Sequence, residues 1–586
     1  SILKSLLAEM YWNYFQNNRY QLYDRTNTTS FNKEDIATWT ADDLHKKITE
    51  LYLGSVKDEK LLQQTKLEPF DAIIIKGNTR NLRPTLYDLL AHRALDYFKN
   101  DERDITKPAY AFEINQAEAF AAAAEFVKQK FSTTDTLSLH HKALMLFQDL
   151  LSFHLQQKNT DAVIDADIER LEFAREFSVH PDKENLFFSA IKNITASYPN
   201  LPATDQAWYL LAQYHENKAA QYKPYGDTTN RYERIKAKEI CEKILTRKED
   251  TEGKINCYNL LNQINRQELK FTLEKVNIPS QPFRTLVTYR NFNKLFLRII
   301  KADEKIKQQL ENQYDEKYWP MLTNATALKS WQQDLPATSD MQAHNTEIKI
   351  EALPAGEYIL LAGTDKDFDN KKTLLGARLF YVSTISYVNS YNDYFVLNRD
   401  NGQPLGNAAV QFWERKYDSK TSKYIKEKAG FYKTNANGYF STDKKKTNNY
   451  NNFLIEIAHN GETFFMNDWI YNYYYERNNE EEKKSTTTWL FTDRGIYRPG
   501  QTVYFKGIVT GKNNTADKSA VRVNYETEIF LRDANDEEVD SLKVKTNEFG
   551  SFSGKFQLPQ GVLNGGFSLQ MDNDEGSANI QVEEYK

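Results

Sequence analysis

The chain has 586 residues, 40% of them hydrophobic and 27% charged, with 76 Lys and Arg against 81 Asp and Glu for a net charge of −5. At roughly 100–200 residues per core this length implies several domains. The interspersed charge gives no electrostatic reason to expect nucleic acid, and no apolar run reaches the ~18 residues of a membrane-spanning helix.

Two cysteines, Cys241 and Cys257, exclude a disulfide framework and a cysteine-rich metal motif, and both read as buried thiols. The chain opens at Ser1 without a Met or a hydrophobic leader and stops at Lys586 where a strand-like run ends. That is the pattern expected of a processed or trimmed chain whose localisation signal has been removed.

From Ser1 to about Lys270 apolar residues recur at helical spacing and Gly is scarce, which predicts an all-α region over 1–270. Leu3, Leu6, Leu7, Met10 and Tyr14 share one face of a first helix. Thr40 followed by Asp43 has the form of a capping box opening a second, with Leu44, Ile48 and Leu51. Pro84 is placed in a first helical turn, with Leu86, Leu89, Leu90 and Leu95 lining the buried side. Further helices are predicted over 113–131, 137–157, 161–176, 204–222 and 231–247. Trp208-Tyr-Leu-Leu-Ala212 resembles the opening of a tetratricopeptide unit, but no second copy follows at a period of ~34 residues, and Pro224-Tyr-Gly-Asp interrupts the hairpin. An irregular, TPR-like solenoid is therefore the expectation, of a kind that presents a concave surface to a partner.

After about Phe271 the pattern becomes alternating, with turn residues every ~8–12 positions, the signature of antiparallel β-sandwiches in series. The fold class is thus α then β. The first sandwich is expected over 271–388, with strands at Leu286-Val-Thr-Tyr, Lys294–Ile300 and Gly356–Ala362 and a helical insertion over Lys305–Gln332. The second, over 389–468, is immunoglobulin-like or carboxypeptidase-regulatory-like, with turn formers at Asp400-Asn-Gly-Gln-Pro and Asn437-Gly438. Residues 469–487, Tyr-rich around Tyr473 and then Glu/Lys-rich, read as an exposed linker. The third sandwich is expected over 488–586.

That third segment opens with Trp489-Leu-Phe-Thr-Asp-Arg-Gly-Ile-Tyr-Arg-Pro-Gly-Gln-Thr-Val-Tyr-Phe-Lys-Gly. Physically this is a strand, a Pro499-Gly500 turn and a second strand alternating Val503, Phe505 and Ile508. As a string it resembles the start of the second macroglobulin-type domain of the bacterial α2-macroglobulin family. Thr546-Asn-Glu-Phe-Gly-Ser-Phe, Leu558-Pro and Val582-Glu-Glu-Tyr-Lys resemble later parts of that domain. Asn401-Gly-Gln-Pro-Leu, Thr434-Asn-Ala-Asn-Gly and Leu353-Pro-Ala-Gly-Glu-Tyr resemble the domains ahead of it. The resemblance covers roughly 271–586, and the helical half is similar to that of large extracellular α-helical proteins of Gram-negative bacteria.

The resemblance implies the front scaffold of a non-enzymatic trap for endopeptidases in the Gram-negative cell envelope, periplasmic or anchored to the outer membrane. In such proteins cleavage of a bait segment collapses the molecule around the protease, and many members then acylate it through a Cys-X-Glu-Gln thioester. Here the cysteines read Cys241-Glu-Lys-Ile and Cys257-Tyr-Asn-Leu, so neither carries that role, and bait and thioester would lie beyond Lys586. An envelope interaction or adhesion module, docking a second envelope protein through the helical region, is the alternative.

The residues themselves assign no catalytic, cofactor-binding or metal site. His140, His141 and His154 lack a His-Glu-X-X-His spacing. Asp572 and Asp574 lack the ligand alternation of a calcium loop and read as a solvated hairpin tip. No Gly-X-Ser-X-Gly elbow, phosphate loop or dinucleotide fingerprint is present.

Overall fold

A computed structural model of the chain describes every residue except 24, 26–35, 78, 103–109, 304–305, 308–315, 391, 420–422, 443–451, 472–484, 513–518, 561–562, 573–575 and 585–586. The chain divides into two compact units, Ser1–Trp208 with Asn479–Lys586, and Tyr209–Asn478.

Among the described residues the N-terminal part of the first unit holds eight α-helices: α1 (Ile2–Tyr23), α2 (Ala41–Val56), α3 (Glu59–Gln64), α4 (Leu86–Phe98), α5 (Ala123–Phe126), α6 (Leu139–Gln157), α7 (Thr160–Phe177) and α8 (Lys183–Ser197). Two of them start at full capping boxes. Thr40 and Asp43 open α2, and Thr85 and Asp88 open α4, each pair exchanging side-chain and backbone hydrogen bonds. Pro84 accordingly stands outside α4, before its N-cap, because Thr85 takes the capping role. Leu86, Leu90 and Leu95 are buried as expected.

The apolar stripe of α1 faces the other way from the core. Ser5, Ala8, Phe15 and Leu22 are buried, whereas Leu3 is 79% exposed and Met10 67%. The helix predicted over 113–131 is interrupted. Only a 3-10 turn at Ala117–Phe120 and the one-turn α5 form. Arg170 of α7 takes the carbonyls of Ala119 (2.5 Å) and Ala121 (2.8 Å), groups that a continuous helix would have used internally.

In the second unit α9 (Thr204–Ala219), which spans the point of division, is followed by α10 (Glu233–Leu245) and α11 (Glu252–Asn265). The first sandwich comprises β1 (Glu268–Leu273), β2 (Val276–Asn277), β3 (Phe283–Arg290), β4 (Lys294–Lys301), α12 (Tyr318–Asn324), β5 (Ala327–Asp334), β6 (His344–Ile350), β7 (Gly356–Gly363) and β8 (Leu375–Val382). Its sheets run β1-β3-β6 and β2-β8-β7-β4-β5. Val287, Leu297, Leu360 and Phe380 meet between them, and α12 covers the outer face of the larger sheet through Tyr318 and Leu322. Of the helical insertion predicted over Lys305–Gln332, residue 305 and residues 308–315 lie outside the described residues, and Tyr318–Asn324 is helical. Ala327–Asp334 is instead an edge strand on β4, whose alternate polar side chains face water.

Helices and sandwich of this unit meet at a buried polar plug. Arg234 binds Glu216 through Nε and Nη2 and donates to the Met341 carbonyl (3.0 Å), while Arg231 reaches Asp340 at 2.7 Å. Gln342 donates back to the Ala219 carbonyl.

The second sandwich holds β9 (Ile385–Ser390), β10 (Asp393–Asn398), β11 (Ala409–Asp418), β12 (Lys423–Lys433), β13 (Tyr439–Ser441), β14 (Asn452–His459) and β15 (Glu462–Tyr471), in sheets β13-β10-β9 and β12-β11-β14-β15. Only Ser383 and Thr384 separate it from β8. Glu462 accepts from both hydroxyls and from the Thr384 amide, and Tyr381 packs into the second core.

The third sandwich, in the first unit, holds β16 (Ser485–Thr492), β17 (Ile496–Tyr497), β18 (Thr502–Lys512), β19 (Ser519–Val521), β20 (Glu526–Arg532), β21 (Glu538–Lys545), β22 (Ser551–Gln557), β23 (Gly565–Met571) and β24 (Ser577–Val582). Strands β15 and β16 thus enter the expected linker from both ends, while its Tyr473 cluster lies outside the described residues. The sheets run β16-β18 with β19 and β22 both on β18, and β17-β24-β23-β20-β21. With β19 set aside, this strand order repeats that of the first sandwich element by element, down to the two-residue strand (β2, β17) running parallel to the last one (β8, β24).

Candidate functional site

The motif between Thr492 and Gln501 builds a latch at the entry to the third sandwich. Asp493 Oδ1 accepts from the Tyr497 hydroxyl (2.6 Å) and the Tyr504 amide (2.9 Å), and the Tyr497 oxygen accepts from the Arg494 amide (3.0 Å). The hydrogen bond from Tyr497 holds the Asp493 carboxyl below its usual range. Burial, and then the bond to Asp493, push the Tyr497 phenol up to about 12.

The turn that follows closes through Gln501 N to the Arg498 carbonyl (3.1 Å), with Gly500 at φ +77. The positive φ requires glycine, and a Cβ on Gly500 would in addition lie 2.6 Å from Gln560 Nε2 and push that side chain aside. Gly495 and Tyr497 carbonyls accept from Gln581 and Glu583, tying the motif to the end of the domain. Each of its polar atoms described here is engaged in holding backbone, which makes the motif a structural corner.

Beside the latch, the outer face of β16 and β18 carries Trp489, Phe491 and Tyr504, each more than half exposed. Trp489 stands opposite Ile508 and Phe491 opposite Lys506, so these side chains share one face.

In the helical part, Glu169 is the centre of a cluster in which His92 Nδ1 lies at 2.8 Å, Lys99 Nζ at 2.6 Å and Arg83 Nη2 at 3.2 Å. Burial alone would raise this carboxyl. The hydrogen bond and charge of His92, with Lys99 and Arg83, hold it well below the carboxylate range instead. The cluster ties α4 to α7.

The three histidines weighed as metal ligands all lie on α6 and serve separate contacts. His140 packs against Phe173 and Phe177, His141 donates to the Phe131 carbonyl (2.7 Å), and His154 donates to Asp88 (2.7 Å), the partner of Thr85 in the capping box of α4. Among the described residues no group of three or more His, Cys, Asp or Glu side chains is placed to hold a metal ion. Cys241 and Cys257 are buried thiols on α10 and α11. Asp572 is exposed at the end of β23, and Asp574 lies outside the described residues. No helix among the described residues is long and apolar enough to cross a membrane.

The Asp493–Tyr497 contact and the Arg170 clamp were not legible as functional pairs in the sequence, although the i, i+4 spacing of an Asp and a Tyr around Gly495 was a local hint of the first.

Two sandwiches share one strand order, with β19 set aside, and one of them is closed by this latch, so the β part of the chain is a series of antiparallel sandwich domains. Residues 487–583 match the MG2 domain family, so the third sandwich is an MG2 domain, and the resemblance of this segment to the second macroglobulin-type domain read from its motifs is borne out. Similar solved structures include a mutant Salmonella alpha-2-macroglobulin, 14% identical over 54% of this chain and 19% of that chain, with a TM-score of 0.28. The native conformation of Escherichia coli alpha-2-macroglobulin is 17% identical over 54% of this chain and 20% of that chain, with a TM-score of 0.25. A piece of the Escherichia coli protein spanning domains MG0-NIE-MG1 is 16% identical over 34% of this chain and 64% of that chain, with a TM-score of 0.24. The chain spans about a fifth of the length of the first two.

Proposed function

We propose that the chain is the scaffold of a bacterial α2-macroglobulin-like endopeptidase inhibitor of the cell envelope, a trap without catalytic turnover. The observation that carries the reading is the MG2 domain at 487–583, whose strand order recurs in the first sandwich. Serial domains of this kind suit an arch or ring around a captured protease, with recognition, bait and any thioester supplied outside these residues. No protease-contacting residue is assigned within the chain.

The test is to incubate the full-length parent protein with a panel of endopeptidases and follow cleavage and native-gel mobility. A discrete cut outside residues 1–586, with compaction and loss of protease activity on large substrates, is the expected result. Diffuse degradation without compaction or inhibition would refute the trap.

A second reading, an envelope interaction module, is favoured by one observation: the exposed α1 stripe of Leu3, Leu6, Leu7 and Met10, which has the i, i+3, i+4, i+7 spacing of helix-in-groove anchors. Retention of a specific envelope protein by the full chain, lost when Leu3 and Met10 are both replaced by Ser, is its expected signature.

A further inference from the structure

A cleft lies among α7, α8 and the segment leading into α5, all within the first unit. It arises where the predicted 113–131 helix is interrupted. Ala121 and Ala122 are extended, at φ −62, ψ 159 and φ −56, ψ 147, and Arg170 holds the carbonyls of Ala119 and Ala121. The four consecutive alanines at 121–124 bring only methyl groups to this place. A volume of about 390 Å³ is left open, within the roughly 300–1,000 Å³ of small-molecule sites.

The lining is mainly apolar. Val163 and Ile164 come from α7, and Leu186, Ala190 and Ile194, spaced four residues apart, come from α8. Ser189, Asn193 and Ser197, likewise four apart on α8, are its exposed polar rim.

Asp167 is the one charged residue that lines the cleft among the described residues, and it is only 5% exposed. Arg170 donates to its Oδ1 through Nε (3.0 Å) and Nη2 (2.6 Å), whereas Oδ2 takes no hydrogen bond among the described residues. The surface that this side chain retains opens on the cleft, so an acceptor oxygen without a donor is set into an apolar wall.

The charge balance selects the ligand. An anion would face the carboxylate. A cation would satisfy Oδ2 but would share one buried carboxylate with the Arg170 guanidinium and leave the group with a net charge. A neutral donor satisfies Oδ2 and adds no charge, and a charged acceptor strengthens its hydrogen bond. We infer that this cleft binds a small, neutral, largely apolar molecule carrying one hydroxyl or N–H group that donates to Asp167 Oδ2. The inference does not rest on protease trapping, and its test contains no protease.

The 586-residue chain is titrated by calorimetry at neutral pH with 2-naphthol and with three molecules of the same ring system. These are 2-methoxynaphthalene, which keeps the oxygen but has no donor, the anion 2-naphthoate, and the cation of 2-naphthylmethylamine. The expected result is one saturable site for 2-naphthol, on the order of tenfold or more tighter than for each of the others, the ratio that one hydrogen bond to a charged group supports. Amide hydrogen exchange on the complex should slow at 121–124 and along α8. Ala190→Phe fills the cleft and should abolish binding while the far-UV circular dichroism is unchanged. Asp167→Asn leaves an oxygen for Arg170 and turns an amide N–H₂ to the cleft, so the preference for 2-naphthol over its methyl ether should disappear. Equal affinity of the unsubstituted chain for 2-naphthol and the ether would reduce the cleft to an apolar crevice and overturn the assignment. Absence of binding, tighter binding of the anion or the cation, binding that survives Ala190→Phe, a preference unaltered by Asp167→Asn, or protection confined to other segments would each do the same.

Discussion

Replacing Arg170 with Met probes how the helical part is held together. The guanidinium is fully buried, binds Asp167 Oδ1 through Nε (3.0 Å) and Nη2 (2.6 Å), caps the carbonyls of Ala119 and Ala121, and lies 4.2 Å above the Phe126 ring. Methionine fills much of the stem volume but leaves one buried carboxylate uncompensated and two carbonyls without this donor. Removing one member of a buried ion pair costs about 3–5 kcal/mol, and that range already contains the two lost carbonyl bonds at ~1 kcal/mol each.

The sign of the pH dependence follows from Asp167. Burial raises its carboxyl even against the opposing charge and hydrogen bond of Arg170. A carboxyl raised in the folded state binds its proton more tightly there than in the unfolded chain, so it favours folding at low pH and opposes it as pH rises past the unfolded value. Without Arg170 this effect grows, and the deficit of Arg170→Met should be larger at pH 7.5 than at pH 5. Urea denaturation followed by circular dichroism measures the loss, and hydrogen exchange locates it, with residues 117–126 opening first. A loss under ~1 kcal/mol, or one independent of pH, would refute the account of Arg170 as the clamp on that segment.

Three further substitutions test the β domains. Gly500→Ala places a Cβ at φ +77 against Gln560 and should lower the third sandwich by about 1–3 kcal/mol, read by calorimetry as a down-shift of its transition; an unchanged transition would contradict the turn assignment. Tyr497→Phe should cost about 1–2 kcal/mol at pH 7. Because the Asp493 carboxyl is depressed in the fold, its contribution is present above its unfolded value and lost as pH falls through the folded one, so the gap between wild type and variant should narrow as pH falls below the usual aspartate range, and a gap that stays constant on acidification would oppose the latch. Glu462→Ala removes the acceptor of the Thr384 amide at the junction of the first two sandwiches, and exchange of that amide should quicken on the order of tenfold, while unchanged exchange would mean that packing of Tyr381 alone holds the junction.

What the sequence determined by itself is local. The capping boxes at Thr40 and Thr85 join groups three residues apart, and the Pro499-Gly500 turn needs only its own four residues, so composition and spacing were enough. The alternation of β3 and β4 was legible for the same reason, since a strand with one buried face writes that face into every second residue, and β7, buried on both faces from Tyr358 to Gly363, was legible as a continuous apolar run after the Pro354-Ala-Gly turn. The edge strands β1 and β5 were not, because most of their side chains meet water and carry no such pattern.

Tertiary structure decided everything that joins residues far apart in the chain. The segment around Ala121 has helical composition, yet Arg170, some fifty residues later, captures its carbonyls and keeps it open. The α1 stripe has the spacing of a buried face, yet the core took the other side, around Ala8 and Phe15. Strand order, and with it the repeat of the first sandwich in the third, depends on pairings such as β2 with β8 across about a hundred residues, for which no periodicity exists to be read.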